Sequence, residues 1–280
     1  MKRVKEEIHY WCDDTKKHAY LGQGIVVAVL DTGISMHPDF GKRMIAFKDI
    51  VGNRRLPYDD SGHGTHVAGI LAGNGFLSGG LYSGIAPRAK LVVVKVLDAN
   101  GDGGIDDVAT GINWVLQNRE KYQIRIVNIS VGTKPDVPKN SSEKLVRMVE
   151  KLWDAGMVVV ASAGNYGPKE RSIAIPGTCK KIITVGAMSG KEQLASSSRG
   201  PTEECVVKPD IFAPGSKIMS CQGKWYATKS GTSMATPIVS GAIALLLSKY
   251  PMMSNVEVKL LLRQTMDENR RLNVKHLLKI

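Results

Sequence analysis

Five short apolar segments, rich in β-branched residues, recur along the first two thirds of the chain. They are continuously apolar rather than alternating, as is typical of strands buried on both faces of a parallel sheet. Segments with helical spacing lie between them, which predicts an α/β fold with a doubly wound, mainly parallel sheet flanked by helices. The predicted strands are Ile25–Leu30, Leu91–Leu97, Ile124–Val131, Met157–Ala161 and Ile182–Val185, and the predicted helices are Val67–Leu71, Ile105–Gln117 and Ser142–Ala155.

The last part of the chain is predicted to be helical. Pro237–Tyr250 is strongly apolar and is expected to run through the core, and Asn255–Thr265 predicts a second helix. Asp267–Ile280 has no clear periodicity and receives no assignment. Because no internal repeat or low-complexity linker divides the chain, we expect one domain over residues 1–280, with no separate pro-domain.

The formal net charge is +12, but the basic residues occur in short clusters such as Arg54-Arg55 and Arg270-Arg271. This distribution favours a solvated basic surface, and no zinc-finger, RNP-like or basic-zipper pattern supports a nucleic-acid partner. No apolar run reaches about 18 residues, so we expect no membrane span.

The four cysteines are Cys12, Cys179, Cys205 and Cys221, and none of them shows C-x-x-C or Cys/His metal spacing. Their scatter predicts free thiols in a reducing compartment. The charged start of the chain is not followed by the apolar stretch of a secretory signal peptide. We therefore expect a cytoplasmic location, or a secreted one if the sequence is a processed mature fragment.

Three short motifs place chemically active side chains next to glycine. Asp31 follows a predicted strand, where parallel sheets place active sites, although Asp-Thr-Gly also occurs in aspartic proteases and an Asp there can be a turn residue. His63 and His66 lie in a glycine-framed segment that lacks the Glu of an H-E-x-x-H motif, which disfavours a zinc site. Both histidines could instead have a structural role. Ser233 precedes the long apolar helix and could equally be its N-cap.

The three motifs together predict one kind of chemistry. A hydroxyl nucleophile needs a base to take its proton, and the base needs an acid that fixes its tautomer and stabilises its charge. Asp31, His63 and Ser233 supply these groups, each at an element boundary. The sequence therefore predicts a catalytic triad in which Ser233 attacks, His63 shuttles the proton and Asp31 orients His63.

The same motifs resemble the signature segments of the subtilisin family. The strings are VAVLDTGI, GHGTHVAG and GTSMATP, and their Asp, His, Ser order is the order of subtilisins. Intervening strings such as ASAGNYG and KPDIFAPG agree, so the resemblance covers about residues 20–265 and is strongest to the bacterial intracellular alkaline-protease branch. It implies a serine endopeptidase that forms an acyl-enzyme on protein or peptide substrates and needs no cofactor for the chemistry.

The resemblance also implies the residues that hold the substrate. Asn165 would donate to the developing oxyanion together with the Ser233 N–H. A peptide would add as a β-strand along two segments, and its side chain before the scissile bond would enter a pocket without acidic residues, which favours uncharged, medium or large side chains. Asp59 and Asp60 could favour a basic residue one position further upstream, or could be solvated. The predicted strand and pocket residues are Gly101, Asp102, Gly103, Ser130, Val131, Gly132, Ser162, Ala163, Gly164 and, at the pocket base, Ala174.

The sequence predicts no metal ligand in the active site. Asp98–Gly103 imitates the start of an EF-hand, but the twelfth position is Ala109 instead of Glu. The subtilisin family commonly carries structural calcium, and Asp39 matches one usual ligand. The loop Gly73–Ser83 lacks the usual Asn-containing ligand pattern, so we expect no tight calcium site.

Two other functions are consistent with parts of the pattern. The first is a catalytically silent, subtilisin-like binding protein, which the intact triad disfavours. The second is an esterase or another acyl hydrolase, whose G-x-S-x-G elbow is absent from the sequence.

Overall fold

One large sheet organises the computed structural model, which describes residues 1–10, 20–134 and 138–279. Eight strands of the described chain form it. They are β1 (Val26–Asp31), β2 (Met44–Asp49), β3 (Lys90–Lys95), β4 (Ile124–Ile129), β5 (Val158–Ser162), β6 (Ile183–Ser189), β7 (Glu192–Gln193) and β8 (Ile211–Pro214).

The order of the strands confirms the predicted architecture. The sheet runs β2-β3-β1-β4-β5-β6-β7, and β8 also pairs with β6. Every pairing in it is parallel except that of β7 with β6. All six residues of β1 are buried between β3 and β4, which explains its continuous run of valine, alanine and leucine.

Two pairs of helices pack against the strands of the sheet. The helices of the described residues are α1 (Lys2–Glu7), α2 (His63–Ala72), α3 (Ile105–Tyr122), α4 (Lys139–Asp154), α5 (Thr232–Lys249), α6 (Asn255–Thr265) and α7 (Val274–Leu278). α3 packs on α4 and α2 packs on α5, and both pairs contact the strands. These contacts confirm the predicted fold, a single doubly wound α/β domain.

α5 is the core helix that the sequence predicts. Its length and hydropathy would allow it to cross a membrane, but 83% of the segment is buried inside the fold. That burial is the ordinary environment of the central helix of a packed domain, and it explains why the helix is apolar on all sides.

Several elements lie outside the predicted set. β9 (Ile218–Gln222) and β10 (Trp225–Lys229) form a separate antiparallel hairpin, and the edge strand β2 is also additional. The unassigned end of the chain contains α7. Cys12 lies outside the described residues, and the other three cysteines are free thiols.

The topology brings the ends of several strands to one place. β1 lies at the point where successive strands change from one side of the sheet to the other, with β3 on one side and β4 on the other. Crevices at such switch points, beyond the carboxyl ends of the strands, are where open α/β sheets bind ligands. The residues at these ends include Asp31, Ser130 and Ser162.

Candidate active site

A cleft of about 470 Å³ opens at the carboxyl ends of the central strands. It contains His63 and Ser233 together with Asn165. Apolar side chains and glycines form much of its wall, as is common in ligand-binding clefts. These wall residues include Leu97, Gly101, Gly103, Val108, Gly132, Leu145, Gly164 and Ile175.

Asp31 and His63 form the hydrogen bond that the sequence predicts. His63 Nδ1 lies 2.7 Å from Asp31 Oδ1, and Asp31 is fully buried. α2 begins at His63 and packs so closely on the backbone after β1 that a Cβ on Gly64 would lie 2.3 Å from Gly33 O. Glycine at position 64 is therefore needed to bring the imidazole against the carboxylate.

The electrostatic surroundings raise the pKa of His63. Burial alone would lower this pKa, but the charge and the hydrogen bond of Asp31 outweigh that effect, while Lys229 acts in the lowering direction. With Nδ1 held by Asp31, Nε2 is the nitrogen left to exchange a proton in the cleft. Lys229 lines the same cleft, and sequence reasoning missed it because no motif marks it.

His66 has a structural role, which the sequence analysis gave as the alternative to a functional one. It is fully buried, and its Nε2 donates to the carbonyl oxygens of Ile218, at 3.1 Å, and Ala227, at 3.0 Å. Burial lowers its pKa to about 4, so the ring is neutral at physiological pH. It therefore ties α2 to the β9–β10 hairpin.

Asp59 holds the start of α2. Its carboxylate accepts five hydrogen bonds, from the Thr32 hydroxyl, the N–H groups of Ser61 and Gly62, and both the N–H and the hydroxyl of Thr65. Burial alone would raise the pKa of Asp59, but these hydrogen bonds lower it overall. The carboxylate thus stays charged at the positive end of the helix dipole.

Asp59 and Asp60, which the sequence suggests could favour a basic substrate residue, have different surroundings in the structure. The oxygens of Asp59 are already taken by the donors at the start of α2. Asp60 pairs with the buried Lys95 at 2.8 Å. Asp59 therefore serves to hold α2, whereas the side chain of Asp60 is 41% exposed, and its attraction for a basic substrate residue stays a prediction.

Ser233 lies in the first turn of α5, where helix N–H groups have no partner within the helix. Its hydroxyl donates to the carbonyl oxygen of Ser130 at 2.9 Å. The described residues contain no hydrogen bond between Ser233 and His63, although both side chains line the cleft. The structure therefore brings the three triad residues to one site with only the Asp31–His63 bond formed.

Asn165 faces the cleft beside Ser233. Its side-chain oxygen accepts from the Thr232 N–H at 3.0 Å and from the Thr232 hydroxyl at 3.2 Å. Because an oxygen must face that N–H, the amide nitrogen is the atom left to donate into the cleft. This orientation suits a donor to an anion that forms next to the N-terminus of α5.

Most of the predicted substrate-binding residues line the cleft, and two of them lie buried behind its surface. Ala163 and Ala174 are fully buried and are not part of the cleft surface. A Cβ on Gly132 or Gly164 would lie 2.8 or 2.6 Å from Ala174 Cβ, so Ala174 lies directly behind the floor that these glycines form. The predicted residues that line the cleft are Gly101, Asp102, Gly103, Ser130, Val131, Gly132, Ser162 and Gly164.

The surroundings of Asp39 do not suit calcium. Its Oδ1 accepts from the Leu77 N–H at 3.0 Å, and its Oδ2 accepts from the Tyr226 hydroxyl at 2.9 Å and from the Cys221 thiol at 3.5 Å. His37 Nδ1 lies 3.7 Å from Oδ1. Calcium prefers six to eight oxygen ligands, whereas nitrogen, sulfur and protein donors surround this carboxylate.

Comparisons with known proteins identify the family. The sequence profile of the subtilase family, Peptidase S8, matches residues 22–278, so the chain belongs to the subtilase family. It is 43% identical to the serine protease AprX of Bacillus subtilis, over 88% of this chain and 62% of AprX. It is 39% identical to subtilisin E of Bacillus subtilis, over 86% of this chain and 60% of that protein.

A solved structure agrees with the fold. The chain superimposes on a cold-adapted subtilisin-like serine proteinase with a TM-score of 0.75, at 30% identity, over 91% of this chain and 90% of that one. The matches to AprX and subtilisin E span about three fifths of those proteins' own length.

Proposed function

We propose that this chain is a serine endopeptidase that hydrolyses peptide bonds through Asp31, His63 and Ser233. The observation that carries the proposal is the 2.7 Å hydrogen bond between a buried carboxylate and an imidazole that shares a cleft with a serine at a helix N-terminus. Membership of the subtilase family and similarity to the serine protease AprX support it.

The proposed reaction follows from the positions of these groups. Ser233 Oγ attacks the peptide carbonyl, and His63 Nε2 takes the hydroxyl proton and then gives it to the leaving amine. Asp31 keeps the imidazole in the tautomer with a free Nε2 and stabilises its positive charge. The Asn165 amide and the Ser233 N–H stabilise the oxyanion, and water then hydrolyses the acyl-enzyme.

We propose protein and peptide substrates with an uncharged, medium or large side chain before the scissile bond. The segments 101–103 and 130–132 would bind the substrate backbone as an added strand, which gives affinity without a strict sequence requirement. Ala174 behind the pocket floor offers no charge to a lysine or arginine. We propose no nucleic-acid or membrane partner.

Labelling with a fluorophosphonate probe tests the proposal, together with mass spectrometry of peptides released from a denatured protein mixture. The wild type should be labelled and should release peptides, and Ser233→Ala should do neither. Ser230→Ala is the matched control, because this exposed serine lies three residues away and should retain both activities. Peptide release by a clean Ser233→Ala preparation would reject the mechanism, and strict cleavage after Lys or Arg would reject the pocket assignment.

We further propose that the protein works in a reducing compartment such as the cytoplasm. The three described cysteines are free, and two of them, Cys179 and Cys221, are buried. Titration of the denatured protein with a thiol reagent after purification without reductant should find these thiols reduced.

A further inference from the structure

Three buried side chains with different ligand chemistry meet between α2 and the β9–β10 hairpin. His37 and Asp39 follow β1, whereas Cys221 belongs to β9, more than 180 positions later in the chain. One nitrogen, one oxygen and one sulfur atom from these residues all lie within 4.8 Å of one another. We name this group, His37, Asp39 and Cys221, the buried N/O/S cluster.

The histidine of the buried N/O/S cluster is oriented as a ligand would be. His37 Nε2 lies 3.0 Å from the carbonyl oxygen of Trp225, so this nitrogen carries the proton and donates it. Nδ1 therefore carries no proton, accepts a hydrogen bond from the Asp39 N–H at 3.2 Å, and lies 3.7 Å from Asp39 Oδ1. Metal-binding histidines commonly donate their second nitrogen to a backbone carbonyl in this way, which fixes the tautomer.

Two separations, one to each oxygen of Asp39, fall in the range found between ligand atoms of a tetrahedral metal centre. The Nδ1–Oδ1 distance is 3.7 Å and the Cys221 Sγ–Asp39 Oδ2 distance is 3.5 Å. Zinc bonds of about 2.0–2.3 Å at tetrahedral angles place neighbouring ligand atoms about 3.2–3.8 Å apart. A cation bonded to these atoms would take the place of the hydrogen bonds that now join them.

The mixture of donor atoms decides the class of ion. Imidazole nitrogen and cysteine sulfur suit zinc and other borderline or soft transition metals, whereas calcium and magnesium prefer oxygen. The Tyr226 hydroxyl, 2.9 Å from Asp39 Oδ2, lies beside the carboxylate as a further oxygen. The same arrangement that does not suit calcium thus suits a different divalent cation.

We propose that His37, Asp39 and Cys221 form a structural binding site for a borderline-soft divalent cation such as Zn²⁺. The cation bonds to Nδ1, to the carboxylate and to the sulfur, and the Cys221 S–H proton is released to the solvent as the metal–thiolate bond forms. The cation replaces the hydrogen bonds that the thiol and the Asp39 N–H now make within the cluster.

The position of the buried N/O/S cluster gives the site a structural effect. A Cβ on Gly69 of α2 would lie 2.9 Å from Cys221 Sγ, and the Ser220 hydroxyl donates to the His66 carbonyl oxygen of α2 at 2.8 Å. A bound cation would therefore link the segment after β1 to β9 directly beneath the helix that begins at His63. We expect it to stabilise the folded state instead of taking part in the chemistry.

Cobalt is the most specific probe, because a Co²⁺–thiolate bond produces a near-ultraviolet charge-transfer band that nitrogen and oxygen ligands do not. The protein is prepared in a Ser233→Ala background to prevent self-digestion, and is depleted of metals before titration. We expect one equivalent of Co²⁺ to produce the band, one equivalent of Zn²⁺ to remove it, and Zn²⁺ to raise the melting temperature.

Two cysteine variants decide the assignment. Cys221→Ser should lose the band and weaken Zn²⁺ binding more than about 100-fold. Cys205→Ser, at an exposed free cysteine, should behave as the parent protein. His37→Gln gives a second test that leaves the thiol in place and should also weaken binding, and circular dichroism without metal checks that each variant is folded.

Three results would overturn the proposal. The first is the absence of both the band and the Zn²⁺-dependent melting shift in the parent protein. The second is a band that persists in Cys221→Ser, which would place the thiolate elsewhere in the chain. The third is a larger stabilisation by Ca²⁺ than by Zn²⁺, which would make Asp39 part of an oxygen-ligand site.

Discussion

Ser233 must change its hydrogen-bond acceptor before it can act as the proposed nucleophile. Its hydroxyl donates to the Ser130 carbonyl oxygen, whereas proton transfer requires Nε2 of His63 as the acceptor. The change includes rotation of the Ser233 side chain, and catalytic hydrogen bonds often tighten only when substrate is bound. The 2.7 Å Asp31–His63 bond is already formed, so the base is oriented before the nucleophile is.

Asn165 is expected to act mainly on the transition state, because the carbonyl oxygen gains negative charge only as Ser233 attacks. Asn165→Ala should lower kcat about 100- to 1,000-fold with little change in KM, a magnitude taken from the corresponding asparagine of subtilisin. Steady-state kinetics with active-site titration measure both constants per folded molecule.

Asn165→Asp separates this role from a structural one. Aspartate keeps an oxygen for the Thr232 N–H but has no donor to offer to the oxyanion. We expect it to be as slow as Asn165→Ala and no less stable than that variant. Near-normal turnover by Asn165→Asp would show that Asn165 only holds the start of α5.

Lys229 should set the position of the acidic limb of the pH–activity profile. His63 must be neutral to accept a proton, and Lys229 lowers the His63 pKa. Lys229→Gln removes this positive charge, so the His63 pKa should rise and the acidic limb of kcat/KM should move to higher pH. Lys224→Gln, on the exposed tip of the hairpin, is the control and should leave the profile in place. A limb that stays in place, or moves to lower pH, in Lys229→Gln would contradict this role.

Among the elements, those with a strong local signal were predictable from the sequence. α6 has the predicted bounds because Ser254 and Glu257 form a capping box at its start. β1 and β3 were recognisable because burial on both faces requires a continuous apolar run. β2 and β10 are partly exposed edge or hairpin strands, and their mixed sequences carry no such run.

The candidate sites likewise include residues that were predictable from the sequence and residues that were not. Asp31, His63 and Ser233 were predictable because each lies at an element boundary beside glycine, which is a local pattern. The buried N/O/S cluster was not, because its members are brought together only by the packing of β9 beneath α2. Four of the five donors to Asp59 come from Ser61, Gly62 and Thr65, within six residues of it, so its role at the start of α2 is a local feature that the sequence analysis missed.

The loop Gly73–Ser83 leads to a prediction about calcium. The Leu77 N–H of this loop donates to Asp39 Oδ1, so at this point the loop supplies a hydrogen-bond donor instead of an oxygen ligand for calcium. We expect Ca²⁺ added to the metal-depleted protein to change the melting temperature no more than Mg²⁺ does. A stabilisation of several kcal/mol at Ca²⁺ concentrations far above the dissociation constant would refute this expectation.

At the scale of the whole molecule, a buried charge cluster joins the far side of the sheet to α6. Asp210 accepts from Lys208 Nζ at 2.6 Å and from the Thr184 N–H at 2.9 Å, and it also pairs with Lys259 at 3.2 Å and Arg263 at 3.3 Å. The side chain of Lys208 is only 1% exposed. One carboxylate thus neutralises a cation that is held out of water.

Asp210→Asn should destabilise the fold strongly, because it leaves Lys208 buried without its counter-charge. We expect the free energy of unfolding to fall by about 3–5 kcal/mol, measured by urea denaturation in the Ser233→Ala background. Asp154→Asn removes the partner of Lys181 from an exposed ion pair and is the matched control. Its stability should be nearly unchanged, because exposed pairs contribute little.

The pH dependence of stability tests the same cluster independently. Burial alone would raise the pKa of Asp210, but the positive charges of Lys208 and Lys259 lower it overall. A carboxylate whose folded-state pKa is lowered contributes stability that is present above its unfolded pKa and is lost as the pH falls through the folded value. The parent protein should therefore lose stability below about pH 4 more steeply than Asp210→Asn. Parallel curves for the two proteins would mean that Asp210 is no better stabilised in the folded state than in the unfolded chain, and would reject the cluster as a source of acid-sensitive stability.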